Sequence, residues 1–437
     1  MGHKGDSQST NPLLNRAALA AVLISLATQA AGDGRSDEQS STAAEEKSAQ
    51  ETAGPAATGS QPDRLDGYSP FTPYGRQYAL MREERARYHA LSQEDVWQPL
   101  PDGQPLAPGM QDNRVRMLRS LLMQYGDLPL TADMDGGDSE ATRNPEHYDK
   151  ALRRAVERFQ RRHGLRADGI VDKNTRTELN TPPEQKLAVL DANLQRWQQM
   201  PKDLGQRYIL VNIPEYTLRL IDREREQYRM RVVVGKPKHA TPELATRLTR
   251  VVFNPTWTVP ANIALRELLP KGSAKLVAGG YRLVNNRGKS VPFSGRNLRA
   301  LRLGSVALQQ RGGEGNALGR FKFVIPNRQA IFLHDTNHKT LFKKRQRAFS
   351  HGCIRLEKPQ ELAQILLDSQ GSHRKWNEEK LARVTTGTRT RAVELLRPIP
   401  VYIAYWTAWV DEEGLLNFRP DIYGRDHQQN LVDNSRE

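Results

Sequence analysis

The spacing of apolar residues changes near Pro201, and that change limits the folds open to this chain. Upstream, Val115, Leu118, Leu121 and Leu122 fall at helical spacing. So do Tyr148, Leu152, Ala155, Val156 and Phe159, and again Leu187, Leu190, Leu194 and Trp197. Residues three and four apart share one face of a helix. Downstream, short runs rich in β-branched and aromatic residues read as strands at Tyr208–Ile213, Tyr216–Ile221, Tyr228–Val234, Val251–Asn254, Arg320–Ile325, Ile331–Leu333 and Val401–Trp406. Helices gathered ahead of a strand-rich stretch predict an α+β fold.

The same pass along the chain suggests its divisions. Lys4 and Arg16 flank an apolar run, Ala17–Ala27, followed by small residues. Residues 1–30 therefore read as a secretory signal peptide. The run is short for a bilayer span of about 20 residues, so an N-terminal inner-membrane anchor is the alternative. Residues 31–65 contain almost no large apolar side chain and read as a disordered tether. Residues 66–104 form an aromatic, charged lead-in with a helix near Tyr78–Leu91. Residues 105–182 read as a small three-helix unit. Its second helix is ended by Gly164, and its third begins at Asp172 after the Asp168-Gly169 turn. A connecting helix then opens the stretch 183–437. Within that stretch, residues 258–312 are rich in Lys, Arg, Gly and Asn, interrupt the strand series, and read as an inserted, mobile cap.

Composition narrows the chemistry. The net charge is +15, and Cys353 is the sole cysteine of 437 residues. One cysteine excludes an internal disulfide framework and any Cys-x-x-Cys metal or redox motif. Export, and the lack of a basic cluster interleaved with aromatics, argue against nucleic acid as a partner. An anionic cell envelope is the expected attraction for the positive charge, with localisation in the periplasm or envelope.

The stretch of residues 331–359 carries the reactive side chains. Cys353 lies in Ser350-His351-Gly352-Cys353-Ile354-Arg355. A thiol near its ordinary pKa of ~8.5 needs a base or a positive field to act as a nucleophile. His334 and His351 are candidate bases. In an extended segment, positions 351, 353 and 355 share a face. His351, Cys353 and Arg355 would then line one wall, with Arg355 favouring the thiolate and holding a carboxylate. The Gly352 and Cys353 N–H groups are candidate oxyanion donors. His334 follows the strand Ile331–Leu333 and opens a polar loop. Its orienting partner would be the Asp335 side chain or a backbone carbonyl beside it, and alternation of neighbouring side chains favours the carbonyl. For Ser350, a turn-forming hydrogen bond is as good a reading as substrate contact. Two rivals stand beside this: a buried inert thiol, and a metal set of His334, His338, His351 and Cys353.

His334, a fifteen-residue spacer and then Ser350 to Arg355 resemble the signature of the L,D-transpeptidase family with a YkuD-type catalytic domain. The resemblance extends through VVGKPKHATPEL, VFNPTWTVP, GNALGRFKFVIPN and PIPVYIAYWTAWVDEEG, to the larger branch with a capping subdomain. RAVERFQRRHGLRADGIVDKNTRTEL is similar to peptidoglycan-binding domains. The resemblance implies a β-rich catalytic domain with an inserted cap and a small three-helix peptidoglycan-binding-like domain. It implies Cys353 as nucleophile, His334 as base, the Asp335 carbonyl as orienter and Gly352 as part of the oxyanion site. Ser350, His351 and Arg355 would bind substrate. The implied reaction joins tetrapeptide stems of peptidoglycan in 3→3 cross-links with release of D-alanine, with no metal or organic cofactor. A carbapenem would form an adduct on the same thiol. The same chemistry could instead attach an envelope protein or hydrolyse stems, or the chain could be a silent wall-binding protein.

Overall fold

The computed structural model describes residues 74–94, 97–129, 144–370 and 376–426. The expected signal peptide or anchor and the expected tether lie outside the described residues.

The helical part follows from local sequence. The first helix, Tyr74–Gln93, extends the expected Tyr78–Leu91 at both ends. Arg114–Gln124 buries Val115, Leu118, Leu121 and Leu122. Lys150–Arg162 starts where Asp149 accepts the Leu152 N–H at 2.7 Å, which satisfies an otherwise orphan donor. Gly164, at φ +65°, ends it in a conformation that suits glycine. Lys173–Leu179 starts in the same way, with Asp172 accepting from Thr175 N. Gln160 ties these two helices together. Its Oε1 accepts the N–H groups of Asp168 and Gly169, and its Nε2 donates to Ile170 O. Pro183–Gln198 begins with proline, whose missing N–H is no loss at a helix start.

The strand-rich part is one nine-stranded sheet. Its members are β1 (Arg207–Asn212), β2 (Thr217–Asp222), β3 (Arg225–Gly235), β4 (Leu244–Phe253), β9 (Phe321–Val324), β10 (Leu333–His334), β11 (Ala348–Ser350), β12 (Ile354–Leu356) and β13 (Arg391–Ala404). Their order is β11-β3-β12-β10-β9-β4-β13-β1-β2, and β2 also pairs with β3. All the strands except β11 therefore close into a ring. Arg223 and Glu224, both at positive φ, make the two-residue turn between β2 and β3, as a tight hairpin of right-handed twist requires. Apolar side chains inside the ring pack with the helix Pro359–Asp368, which buries Leu362, Ala363, Leu366 and Leu367.

Three elements differ from the sequence expectation. β4 begins at Leu244, because Leu244–Arg250 alternates exposed and covered positions without being apolar. β13 begins at Arg391, ten residues before Val401. Pro398 falls in an irregular stretch of the β13–β4 register between Glu394 and Ile399, where a ladder tolerates a missing donor. Residues 258–312, expected to interrupt the strands, contribute to a second sheet. It comprises β5 (Trp257–Thr258), β6 (Tyr281–Asn285), β7 (Ser290–Val291) and β8 (Val306–Gln310), in the order β5-β8-β6-β7, over its own small core around Leu283 and Leu308.

A last hairpin, β14 (Ala408–Val410) with β15 (Leu416–Phe418), joins the helices to the ring. Trp409, Val410 and Phe418 share one hydrophobic core with Val115, Leu152, Phe159, Trp197 and, from the ring, Tyr208 and Leu210. Trp197 stacks on Trp406 with centroids 4.0 Å apart. Beneath this hairpin the buried Arg162 pairs with Asp127 and donates to the carbonyl of Leu416.

Candidate active site

Cys353 sits in a bend between β11 and β12, held by short polar contacts. Ser350 Oγ accepts the Gly352 N–H at 3.1 Å and donates to Cys353 O at 2.5 Å. Gly352 has φ +108°, and a Cβ there would lie 3.2 Å from Ile331 Cδ1, so glycine is required. Buried Thr241 braces the bend from behind. Its Oγ1 donates to Gly352 O at 2.8 Å and accepts Gly235 N–H at 2.9 Å. Tyr423 OH closes this network, donating to Gly235 O and accepting from Thr241 N. Thr241→Val keeps the shape but leaves two buried partners unsatisfied. It is expected to cost about 1–3 kcal/mol and to slow modification of the thiol. Denaturant unfolding together with thiol acylation rates checks this, and unchanged values in both would sink it.

His334 departs from the expected loop position. It is the last residue of β10, pairing with Arg355 of parallel β12 on one side and Lys322 of antiparallel β9 on the other. Its Nδ1 hydrogen-bonds to Asp335 O at 2.5 Å, leaving Nε2 for the cavity. The Asp335 side chain is engaged elsewhere, accepting from Arg320 N, Thr336 N and Lys339 Nζ. Gly319 leaves the space for that carboxylate: a Cβ there would come within 2.3 Å of it.

The register brings the reactive groups together. Leu333 aligns with Ile354 and His334 with Arg355, so His334 and Arg355 sit side by side on one face, with Cys353 in the bend immediately before β12. All three line a single cavity of about 520 Å³, with His351 and Ser350. His351 reaches it by a different route from the one expected. Residues 351–353 form a bend rather than an extended strand, and His351 Nε2 lies 2.7 Å from Glu267 Oε1, a residue of the inserted segment. The expected donor Gly352 N–H is already given to Ser350, whereas Cys353 N–H has no partner among the described residues. His338, of the alternative metal set, is exposed and lies outside the cavity lining.

Electrostatics favour neutral partners at rest. Burial chiefly, and then the Arg355 charge, push His334 down to about 3. Burial raises the Cys353 thiol above its ordinary value, against smaller opposing pulls from the Phe332 amide, Lys322 and Arg355. Arg355 is itself lowered by burial, and its buried Nε has no hydrogen-bond partner. The arrangement can serve as a thiol nucleophile beside an oriented neutral imidazole, with a cation on the cavity wall to receive an anionic group.

Sequence reading missed Thr241, Tyr423, Lys322 and Glu267 here. Their links to the bend are long-range, and nothing local marks them.

Comparison with known proteins places these residues in context. Residues 206–403 match the family model described as L,D-transpeptidase catalytic domain, of the YkuD type. Residues 111–179 match the one described as "Putative peptidoglycan binding domain". A Haemophilus influenzae protein named "Putative L,D-transpeptidase" is 34% identical over 253 residues, 57% of this chain and 50% of that protein. The chain thus matches about half the length of this curated relative. Solved structures give looser likenesses. An L,D-transpeptidase from Stackebrandtia nassauensis is 14% identical, with 70% of this chain and 97% of that one covered and a TM-score of 0.24. L,D-transpeptidase 3 from Mycobacterium tuberculosis, in complex with a faropenem-derived adduct, is 10% identical, with 46% and 60% covered and a TM-score of 0.22. At these TM-scores the superpositions carry no weight for this chain.

Proposed function

We propose, from the match of residues 206–403 to the L,D-transpeptidase catalytic-domain family model, that this chain cross-links peptidoglycan through an acyl-enzyme on Cys353. The observation that carries the reading is the convergence of Cys353, His334 and Arg355 on one cavity, with the imidazole fixed through Nδ1 by the Asp335 carbonyl.

His334 takes the thiol proton as Cys353 attacks the carbonyl of the third residue of a tetrapeptide stem. The Cys353 N–H supports the developing oxyanion. The proton on His334 then passes to the departing amine of D-alanine, leaving a thioester. An amine of a second stem attacks this thioester, completes a 3→3 cross-link and returns the thiol. Arg355 holds a stem carboxylate. The peptidoglycan-binding match at residues 111–179 supports an envelope location, reached through the N-terminal segment as signal peptide or anchor. No helix among the described residues is long and apolar enough to cross a membrane.

The test is intact-protein mass spectrometry with a carbapenem and, separately, a tetrapeptide donor, followed by product analysis. One acyl adduct per chain and 3→3 dimers are expected. Tripeptide alone would point to hydrolysis, and no adduct would leave a silent wall-binding protein.

The shifted groups give a second test. His334 is neutral at all pH values well above about 3, and burial raises the Cys353 thiol above its ordinary value. The competent neutral pair therefore persists across the mid-range. The rate constant for carbapenem acylation is expected to stay level from about pH 5 to 8. An acid limb with its midpoint near the ordinary histidine value of ~6.5 would overturn the neutral-pair mechanism.

A further inference from the structure

The inserted segment 258–312 contains ten Lys or Arg residues and a single carboxylate, Glu267. That carboxylate turns into the cavity. Among the described residues, Glu267 is the one acid lining the cavity, and Arg355 is the one Lys or Arg. Its backbone is irregular: Ala264–Leu268 forms a π-helical turn, a distortion that often marks functional positions. Glu267 Oε1 meets His351 Nε2 at 2.7 Å, and the His351 ring packs on His239 with centroids 4.8 Å apart. The second oxygen, Oε2, has no partner among the described residues, and the side chain is 47% exposed. Across the cavity Arg355 has no carboxylate partner among the described residues.

A cavity with one cation on the ring wall and one anion on the cap wall suits a ligand carrying both charges. The cation side stands beside the nucleophile. We infer that Glu267 is the acceptor-binding residue: it receives the incoming amine as an ammonium ion, and so makes transfer to a charged amine outrun hydrolysis. This rests on the acyl-enzyme reading above and adds the acceptor's recognition to it.

The step balances with the residues present. The ammonium bound at Glu267 gives one proton to Nδ1 of the neutral His351 imidazole, whose Nε2–H is donated to Glu267 Oε1. The freed nitrogen lone pair forms the C–N bond to the acyl carbon as the C–S bond breaks, its electron pair passing to sulfur. The second nitrogen proton goes by way of His334 to sulfur, restoring the thiol, and His351 releases its proton to water. Glu267 stays ionised throughout, opposite the imidazolium.

The test compares Glu267→Gln with the unaltered chain, using tetrapeptide as donor. Acceptors are a second tetrapeptide, whose side-chain amine is charged, and hydroxylamine, which is uncharged at neutral pH. The readout is the ratio of transfer product to hydrolysed tripeptide from the same acyl-enzyme. With the charged acceptor the ratio is expected to fall roughly tenfold, as for loss of one charge-assisted hydrogen bond. With hydroxylamine it is expected to stay within about twofold, the scatter expected of such single-interaction effects. Glu267→Asp is expected to recover part of the loss. An unchanged ratio, or an equal fall with both acceptors, overturns the inference, since a merely structural role would affect both alike. If the unaltered chain forms no acyl-enzyme at all, the underlying reading fails and this one with it. Acylation with an unchanged ratio fails this one alone.

Discussion

Cys353→Ala is expected to abolish adduct formation with a carbapenem and to lower cross-linking by about 10⁴-fold or more, the scale seen when a covalent nucleophile is removed. Two features make the result sharp. No other cysteine exists in the chain, so an acyl group has no second thiol to occupy. The side chain also contributes little to the fold: the one hydrogen bond donated by its Sγ is a long 3.9 Å contact to Ala330 O. The Ser350–Gly352–Thr241 bracing of the bend does not use the thiol. The variant should therefore unfold at nearly the same denaturant concentration as the parent. Intact mass and product analysis on the two chains decide the matter. Dimers formed by the alanine variant at a rate near the parent's would end the nucleophile assignment.

Asp127→Ala is expected to be the most damaging single change to stability. Arg162 and Asp127 have side-chain exposures of 3% and 0%, and the guanidinium also donates to Tyr125 O and Leu416 O. Deleting the carboxylate leaves a buried cation with carbonyl partners alone. Breaking a buried pair in this way costs about 3–5 kcal/mol. For a chain of this size that corresponds to a fall in melting temperature on the order of 10 °C. Thermal and denaturant unfolding provide the measurement, and a loss below about 1 kcal/mol would show that water or a rearranged neighbour satisfies Arg162.

The residues that report on themselves were legible in the sequence. Asp172 marks a helix start because the capping interaction spans three residues, whereas the same cap at Asp149 was not read. Gly164 marks the positive φ that ends its helix. The Cys353 neighbourhood stood out as a motif, and His334, expected to be its base, lines the same cavity. What could not be read depends on a partner strand or a distant loop. His334 ends a strand and does not open a loop, because β9 and β12 supply ladders on both sides, and nothing local marks where the strand read at Ile331–Leu333 should stop. β13 runs through Pro398 because its ladder with β4 shifts register there, between Glu394 and Ile399. Glu267 looks like any solvated glutamate until the fold brings it against His351, 84 positions away. The expected donor role of Gly352 depended on one hydroxyl rotamer, that of Ser350, which no pattern encodes.

The core shared by the helices, the β14–β15 hairpin and the outer face of the ring has a mechanical consequence. Two modules joined by a floppy linker search for their targets independently, and the second contact is governed by an effective concentration. Here Trp197, Trp406, Phe159 and Phe418 belong to one apolar core, and the Arg162 contacts add a clasp. The helical segment is thus a lever arm rather than a leash. Any surface it presents to a wall polymer fixes the heading of the cavity mouth, so where the chain grips and where it reacts are separated by a set offset.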